Sequence, residues 1–388
     1  MKKPAIRYLV SSPSGDVPVD NGRLDYPLEA DPLKTPYRVY FQAITDFLKS
    51  GNFQPLLEAV NLRLGTDLNL GELNEIIIRT EKHGALYHPA SIECLTAGKK
   101  VKFGLNVAVT ESGRNALKKE FDVLRTLHKQ YRLPYIPKPF LLDEADSMVF
   151  LLEEWFEDFH EFHIAKSEHG KERLKLWEYG KGDCFLSDEQ SFEIYRQIAM
   201  ILTLYYDIET CRMIFPWHHA AGDFLVRIED KTMIDIRLTT ARGYGPFMVA
   251  SDEDIVPPAI AIFYFLLHLS VQMRLDRLDG VGDTVWAEDK CVDATLAGFF
   301  LGIESKKAFR DYFGSQEDFL KLLRSFSMED FAKTFKPIVA QYEKTKDYPV
   351  IERNLRNHIA RLYSTLRNSP QQCHQKTCVK PSIEAALD

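Results

Sequence analysis

Apolar positions change their spacing along the chain, and the changes divide it. Residues 1 to about 35 read as a polar, Pro- and Asp-rich lead-in. Tyr37 to Lys49 and Phe53 to Leu64 then carry apolar residues at helical spacing, with Gly51 and Gly65 as stops. The period shortens at Ile76-Ile77-Ile78, and Tyr87 to Thr96 and Val101 to Thr110 read as strands joined by a hairpin turn at Ala97-Gly98-Lys99-Lys100. Arg114 to Tyr131 returns to helix, with Leu117, Phe121, Leu124 and Leu127 in phase, and Val149 to Leu152 reads as a buried strand. Beyond about residue 160 the pattern is mostly helical. One hairpin interrupts it, Phe224 to Ile228 against Met233 to Ile236. The expected division is a lead-in and helical extension (1–73), a β-rich part (74–155), a mainly helical part (156–368) and a polar tail (369–388). Strands come first and helices after, not in β-α-β alternation, so the expected class is α+β and the order argues against a doubly wound sheet.

One apolar run, Ile255 to Met273, approaches membrane-spanning length. Pro257 and Pro258 suit a helix start, and His268 and Gln272 sit near its end, so a buried core helix is expected and no membrane span. Met1-Lys2-Lys3-Pro4 leads into no apolar signal segment, because Arg7 breaks the run. The apolar fraction of 45% supports a sizeable core, and the net charge of -7 argues against nucleic acid as a partner. The six cysteines form no C-x-x-C pair, which points to reduced thiols and a cytoplasmic protein. His160 and His163 have one-turn spacing on a helix, but a third metal ligand is missing.

Candidate chemistry concentrates between Phe215 and Arg242. Asp223 precedes the first strand of the hairpin and Asp235 lies at the end of the second. A hairpin brings strand start and strand end to one edge, so both carboxylates are expected to converge on one hard cation such as Mg²⁺. His218 and His219 lie just upstream, where an imidazole could orient or deprotonate a hydroxyl. Arg237 and Arg242 offer guanidinium forks for phosphate.

The order of elements and this loop resemble the protein-kinase-like superfamily, in particular its aminoglycoside and choline phosphotransferase branch. There the loop reads H-G-D-L-x-x-x-N-x-L-V, followed by a hairpin and a D-x-G turn. Aligned on Leu225-Val226, the resemblance puts Asp223 and Asp235 at the two metal-binding positions, His218 at the catalytic aspartate and Pro216 at the first histidine. It puts Asn106 where the phosphate-binding lysine stands, with Lys100 and Lys102 nearby, and Glu120 at that lysine's helical partner. Glu81-Lys82-His83-Gly84 becomes the phosphate-covering turn, so Lys82 and His83 are candidate ligand contacts. The adenine pocket falls at Glu153 to Phe156, including Glu154. The sequence departs from the family at His218, at Asn106 and at Ile236-Arg237, which replaces Phe-Gly.

The resemblance implies a two-lobed kinase-like fold with a helical N-terminal extension. Its first functional expectation is an ATP- and Mg-dependent phosphotransferase, with His218 handling an acceptor that the sequence does not specify. The alternative is a pseudokinase, a binding or regulatory module with a nucleotide or protein partner. A metal-dependent hydrolase using His218, His219, Asp223 and Asp235 is a third.

Overall fold

The computed structural model describes residues 3–12, 15–81, 84, 86–178, 181–229, 232–246 and 257–368. The chain forms two compact units. The first comprises Met1–Gln130 and Ile136–Asp158, the second Tyr131–Tyr135 and Phe159–Asp388.

The first unit is built on a seven-stranded sheet: β1 (Ala5–Val10), β2 (Val17–Pro18), β3 (Leu73–Thr80), β4 (Ala90–Thr96), β5 (Lys100–Ala108), β6 (Pro139–Ala145) and β7 (Met148–Glu154), in the order β2-β1-β3-β4-β5-β7-β6. β1 pairs parallel to β3, and the other neighbours are antiparallel. Alternation sends Ile76, Ile78, Ile92, Cys94, Phe103, Leu105, Phe150 and Leu152 to one face. Helices α1 (Tyr37–Lys49) and α2 (Gln54–Leu64) cover that face, and Phe47 stacks on Phe150 with ring centroids 4.9 Å apart. Burial pushes the Cys94 thiol up to about 12, so it stays protonated and inert. The opposite face carries Arg79, Ser91, Glu93, Lys102, Gly104, Asn106 and Glu153 by the same alternation. Helix α3 (Glu111–Tyr131) follows β5 and buries Leu117, Leu124 and Leu127.

The lead-in departs from expectation. The pattern predicts a polar lead-in over residues 1 to about 35, whereas Ala5–Val10 within it forms a strand. Arg7 lies on its exposed side and pairs with Glu75 at 2.7 Å.

In the second unit, a three-stranded antiparallel meander of β8 (Glu161–Lys166), β9 (Glu172–Glu178) and β10 (Gly182–Phe185) replaces the expected helix. Phe162, Ile164, Leu174 and Leu176 alternate inward with a period of two, which the intervening Lys and Glu residues mask on short runs. His160 and His163 therefore lie on extended chain rather than on one helical face. Helix α4 (Asp188–Leu204) follows, opened by a Ser187–Gln190 capping box. Then come β11 (Arg212–Ile214), the hairpin β12 (Phe224–Glu229) with β13 (Met233–Leu238), and β14 (Tyr244–Pro246), which pairs back with β11. Helix α5 (Pro258–Gln272) is buried over most of its 15 residues, and no described helix is long and apolar enough to cross a membrane. A two-stranded ribbon, β15 (Leu275–Arg277) and β16 (Thr284–Trp286), precedes α6 (Lys290–Glu304). Helices α7 (Lys307–Phe313), α8 (Gln316–Ser325), α9 (Met328–Ala340) and α10 (Tyr348–Asn368) complete the unit. α6 lies directly against α4. A Cβ at Gly298 would fall 2.0 Å from the Arg196 carbonyl oxygen, and one at Gly302 would fall 2.7 Å from Thr203 Cβ.

Candidate functional site

The loop between β11 and β12 is fixed from several sides. A cis Phe215–Pro216 bond opens it, and Trp217 is buried behind it, with its carbonyl accepting from Gln272 Nε2 at 2.6 Å. A short 3-10 turn, His219–Ala221, ends at Gly222, whose φ of 68° needs no Cβ and sits beside the Glu161 carboxylate.

Asp223 follows and is fully buried. Its Oδ1 accepts from Arg242 Nη2 at 2.7 Å. Its Oδ2 accepts from Arg242 Nη1 at 2.7 Å and from the His218 backbone N–H at 2.8 Å. This is a bidentate, charge-assisted pair with an added backbone donor, the arrangement that satisfies a buried carboxylate. Arg242 is thus placed on Asp223 itself.

The register of the hairpin corrects the expected metal pair. Phe224 faces Leu238, and Asp235 faces Arg227. Asp235 is the third residue of β13, on the turn side, while Asp223 lies beyond the opposite end. Four residues of β-strand between Asp223 and Arg227 amount to about 13 Å, too far for one cation to bind both carboxylates. The expectation erred by placing Asp235 at the end of its strand, where Leu238 stands. Asp235 is held instead by Arg237 and by Arg227 at 3.4 Å. Both guanidiniums stack near Phe159, at 4.9 Å for Arg227 and 5.1 Å for Arg237. Among the described residues no group of three or more His, Cys, Asp or Glu side chains could hold a metal ion.

His218 is also engaged. Its Nδ1 accepts the Ala220 N–H at 3.0 Å, which makes the imidazole the cap of the 3-10 turn, and its Nε2 faces Asp347 Oδ2 at 3.6 Å. With the Nδ1 lone pair engaged by the Ala220 N–H, only Nε2 is left to meet another group, and Asp347 stands on that side. Asp347 also accepts from Thr284 Oγ1 at 2.9 Å and faces Arg277 at 3.5 Å. Burial raises the Asp347 carboxyl, but His218, Thr284 and Arg277 together outweigh it and hold it below the usual range. His219 is buried among Phe162, Tyr195, Trp217 and Phe224, and burial pulls it down to about 4, which keeps it neutral.

His163, on β8, reaches Asp276 Oδ1 at 3.2 Å and Glu161 Oε2 at 3.8 Å. Burial lowers its basicity, yet the two carboxylates win and lift it to about 9. Asp276 also accepts the Ile164 N–H at 2.8 Å, which ties β8 to β15.

The candidates of the first unit divide by sheet face. Glu154 points to the α1/α2 face and pairs with Arg63 at 2.8 Å, while its N–H donates to the Lys138 carbonyl, so neither its side chain nor its N–H is displayed for a ligand. Asn106 lies on the other face and donates to Glu153 Oε1 at 2.9 Å. Glu120 is buried on α3 and accepts from Tyr87 Oη at 3.0 Å. Lys102 is on the same face as Asn106, 3.9 Å from the centre of the Trp155 ring and 3.7 Å from Glu81. Lys82 and His83 lie outside the described residues. Sequence reasoning missed Asp347, Arg277 and Asp276. Asp347 reaches the loop and Asp276 reaches β8 from distant parts of the chain, Arg277 joins through Asp347, and none has a local motif.

No family model matches the chain, and no curated protein matches it.

Proposed function

We propose that the chain is a kinase-like binding module that does not carry out metal-dependent phosphoryl transfer. The order of elements supports the kinase-like part: the antiparallel strands β3–β5, the helix α3, the strands β6 and β7, then a unit of helices that also holds a three-stranded meander and three two-stranded pairs among the described residues, the β12–β13 hairpin being one of them. The single observation that carries the functional part is Asp223. The resemblance makes it a metal ligand, but Arg242 grips both of its oxygens and the His218 N–H takes a further contact. Phosphoryl transfer is catalysed mainly by positioning and charge stabilisation, with the metal held by freely presented carboxylates. Here that carboxylate is neutralised by a cation from the chain itself. Its expected companion Asp235 is bound between two arginines elsewhere on the hairpin.

The test is a thermal-shift series with ATP, ADP and GTP, each with and without Mg²⁺, run beside a radiolabelled γ-phosphate release assay. A ligand that binds only the native state raises Tm by mass action. The expected result is no Mg²⁺-dependent increment in Tm and no phosphate release above buffer. Mg²⁺-dependent stabilisation by ATP, with phosphate release lost in Asp223→Asn, would overturn the reading in favour of an active phosphotransferase.

A further inference from the structure

Three strands of the first unit leave a gap on the polar face of their sheet. Ser91 of β4, Gly104 of β5 and Glu153 of β7 stand side by side across it. Lys102 and Asn106 flank Gly104 along β5, two residues away on either side, so their side chains share its face. Contacts draw the charged neighbours to opposite ends. The Lys102 ammonium sits 3.9 Å from the centre of the Trp155 ring, while the Glu153 carboxyl reaches diagonally to Asn106, whose Nδ2 donates to Oε1 at 2.9 Å. The Lys102 and Asn106 Cα atoms lie about 13 Å apart along the strand, and Gly104 puts no side chain between them. The nearest atoms that a Cβ there would meet are Glu153 Cγ at 3.4 Å and, at 3.8 Å, Glu153 Oε1 and the Glu154 carbonyl oxygen, all of β7.

Both ends of the gap are short of partners. Glu153 is 7% exposed, and its Oε2 is buried with no hydrogen bond. Lys102 Nζ makes none either among the described residues. Ser91 Oγ donates to Glu81 Oε1 at 2.6 Å, and the ammonium stays 3.7 Å from that oxygen. Burial pulls the Lys102 amine down, and burial first and the charge of Glu120 second push the Glu153 carboxyl well above its usual range. Each shift fits a charge without the partner it needs. The two groups do not serve each other, because Trp155 holds one and Asn106 the other.

We propose that this strip binds a small zwitterion laid across Gly104, its carboxylate on Lys102 and its ammonium on Glu153 Oε2, with the Trp155 ring as a side wall. The arriving ammonium supplies the donor that Oε2 lacks and favours the ionised carboxylate. The ligand carboxylate supplies the acceptor that Lys102 lacks. Both ends are fixed by the sheet, so the separation of the ligand's charges decides which zwitterion fits. None of these groups belongs to the loop at Asp223, and binding here needs neither nucleotide nor Mg²⁺.

Thermal shift of the full chain reads binding, with glycine, γ-aminobutyrate and ε-aminocaproate each at up to about 50 mM and constant ionic strength. One chain length is expected to raise Tm more than the other two. It should also exceed an equimolar mixture of acetate and methylamine, which carry the same charges unlinked. In calorimetric titration the affinity for that zwitterion should fall by about tenfold or more in Lys102→Gln and in Glu153→Gln. Gly104→Ala spares the fold, since its Cβ meets nothing closer than 3.4 Å, yet the methyl group fills the floor of the strip and should weaken binding as well. No rise in Tm with any of the three, a rise matched by the mixture, or unchanged affinity in Gly104→Ala and Lys102→Gln would each overturn the site.

Discussion

Arg242 illustrates how one side chain changes the meaning of another. Read along the sequence it is a phosphate-gripping candidate, but in the fold it neutralises Asp223 from 19 residues away. Removing it leaves a fully buried carboxylate facing a single backbone donor. Arg242→Met is therefore expected to destabilise the second unit by about 3–5 kcal/mol, measured as a shift in the urea midpoint. The double variant Asp223→Asn/Arg242→Met should recover a large part of that loss, since it no longer buries a lone charge. Equal losses in single and double variants would show that Arg242 acts by packing alone. Asp223 itself was legible in the sequence as a polar residue at the mouth of a hairpin. Its partner was visible only as an arginine without an assigned target, because nothing local says which of several carboxylates a guanidinium will choose.

Among the elements, the helix crossing of α4 and α6 makes the sharpest demand on sequence. Gly298→Ala would drive a methyl group to 2.0 Å from a backbone carbonyl that cannot rotate away. It should cost about 3 kcal/mol or more, at the upper end for overpacking. Gly65→Ala is a useful contrast. Its φ of 61° is left-handed but a Cβ there meets nothing within 4 Å, so only the torsional cost of about 1 kcal/mol should be seen in thermal unfolding. If the two variants lose equal stability, the close crossing is not as rigid as drawn. Elements were legible where the period was sustained. The isoleucine run of β3, the hairpin turn around Gly98, α3 and the apolar α5 all stand where spacing put them. The meander β8–β10 was not legible, because its inward residues alternate over only two or three positions amid charged neighbours. The expected convergence of Asp223 and Asp235 failed for a related reason. A hairpin's register follows from its turn, and misplacing Asp235 by three positions turned separate carboxylates into an apparent pair.

Over the whole molecule, buried histidines set a pH dependence of definite sign. His268 and His358 are pulled down to about 3 by burial, and His219 to about 4. Each stays neutral in the folded chain but takes up a proton on unfolding below its ordinary value of 6.5. Their contribution is present above that value and is lost as pH falls toward 3–4, with a slope of about 1.4 kcal/mol per pH unit per histidine. His163 works the other way. Held at about 9, it stabilises fully below 6.5 and loses its effect as pH rises to about 9. Urea midpoints across pH should therefore peak near 6.5, and His163→Gln should flatten the alkaline limb of the second unit. A midpoint that keeps rising up to pH 9 would contradict this balance. The contact of His218 with Asp347 has a further consequence in time. The ribosome delivers the loop at 215–223 long before it delivers Asp347, which stands at the threshold of the last described helix. Until then the imidazole has only its own turn to hold, and Arg277 and Thr284 lack the carboxylate that joins them. The loop's final arrangement thus waits until the chain has been made past residue 347, and a nascent chain stalled short of that point carries it unlatched.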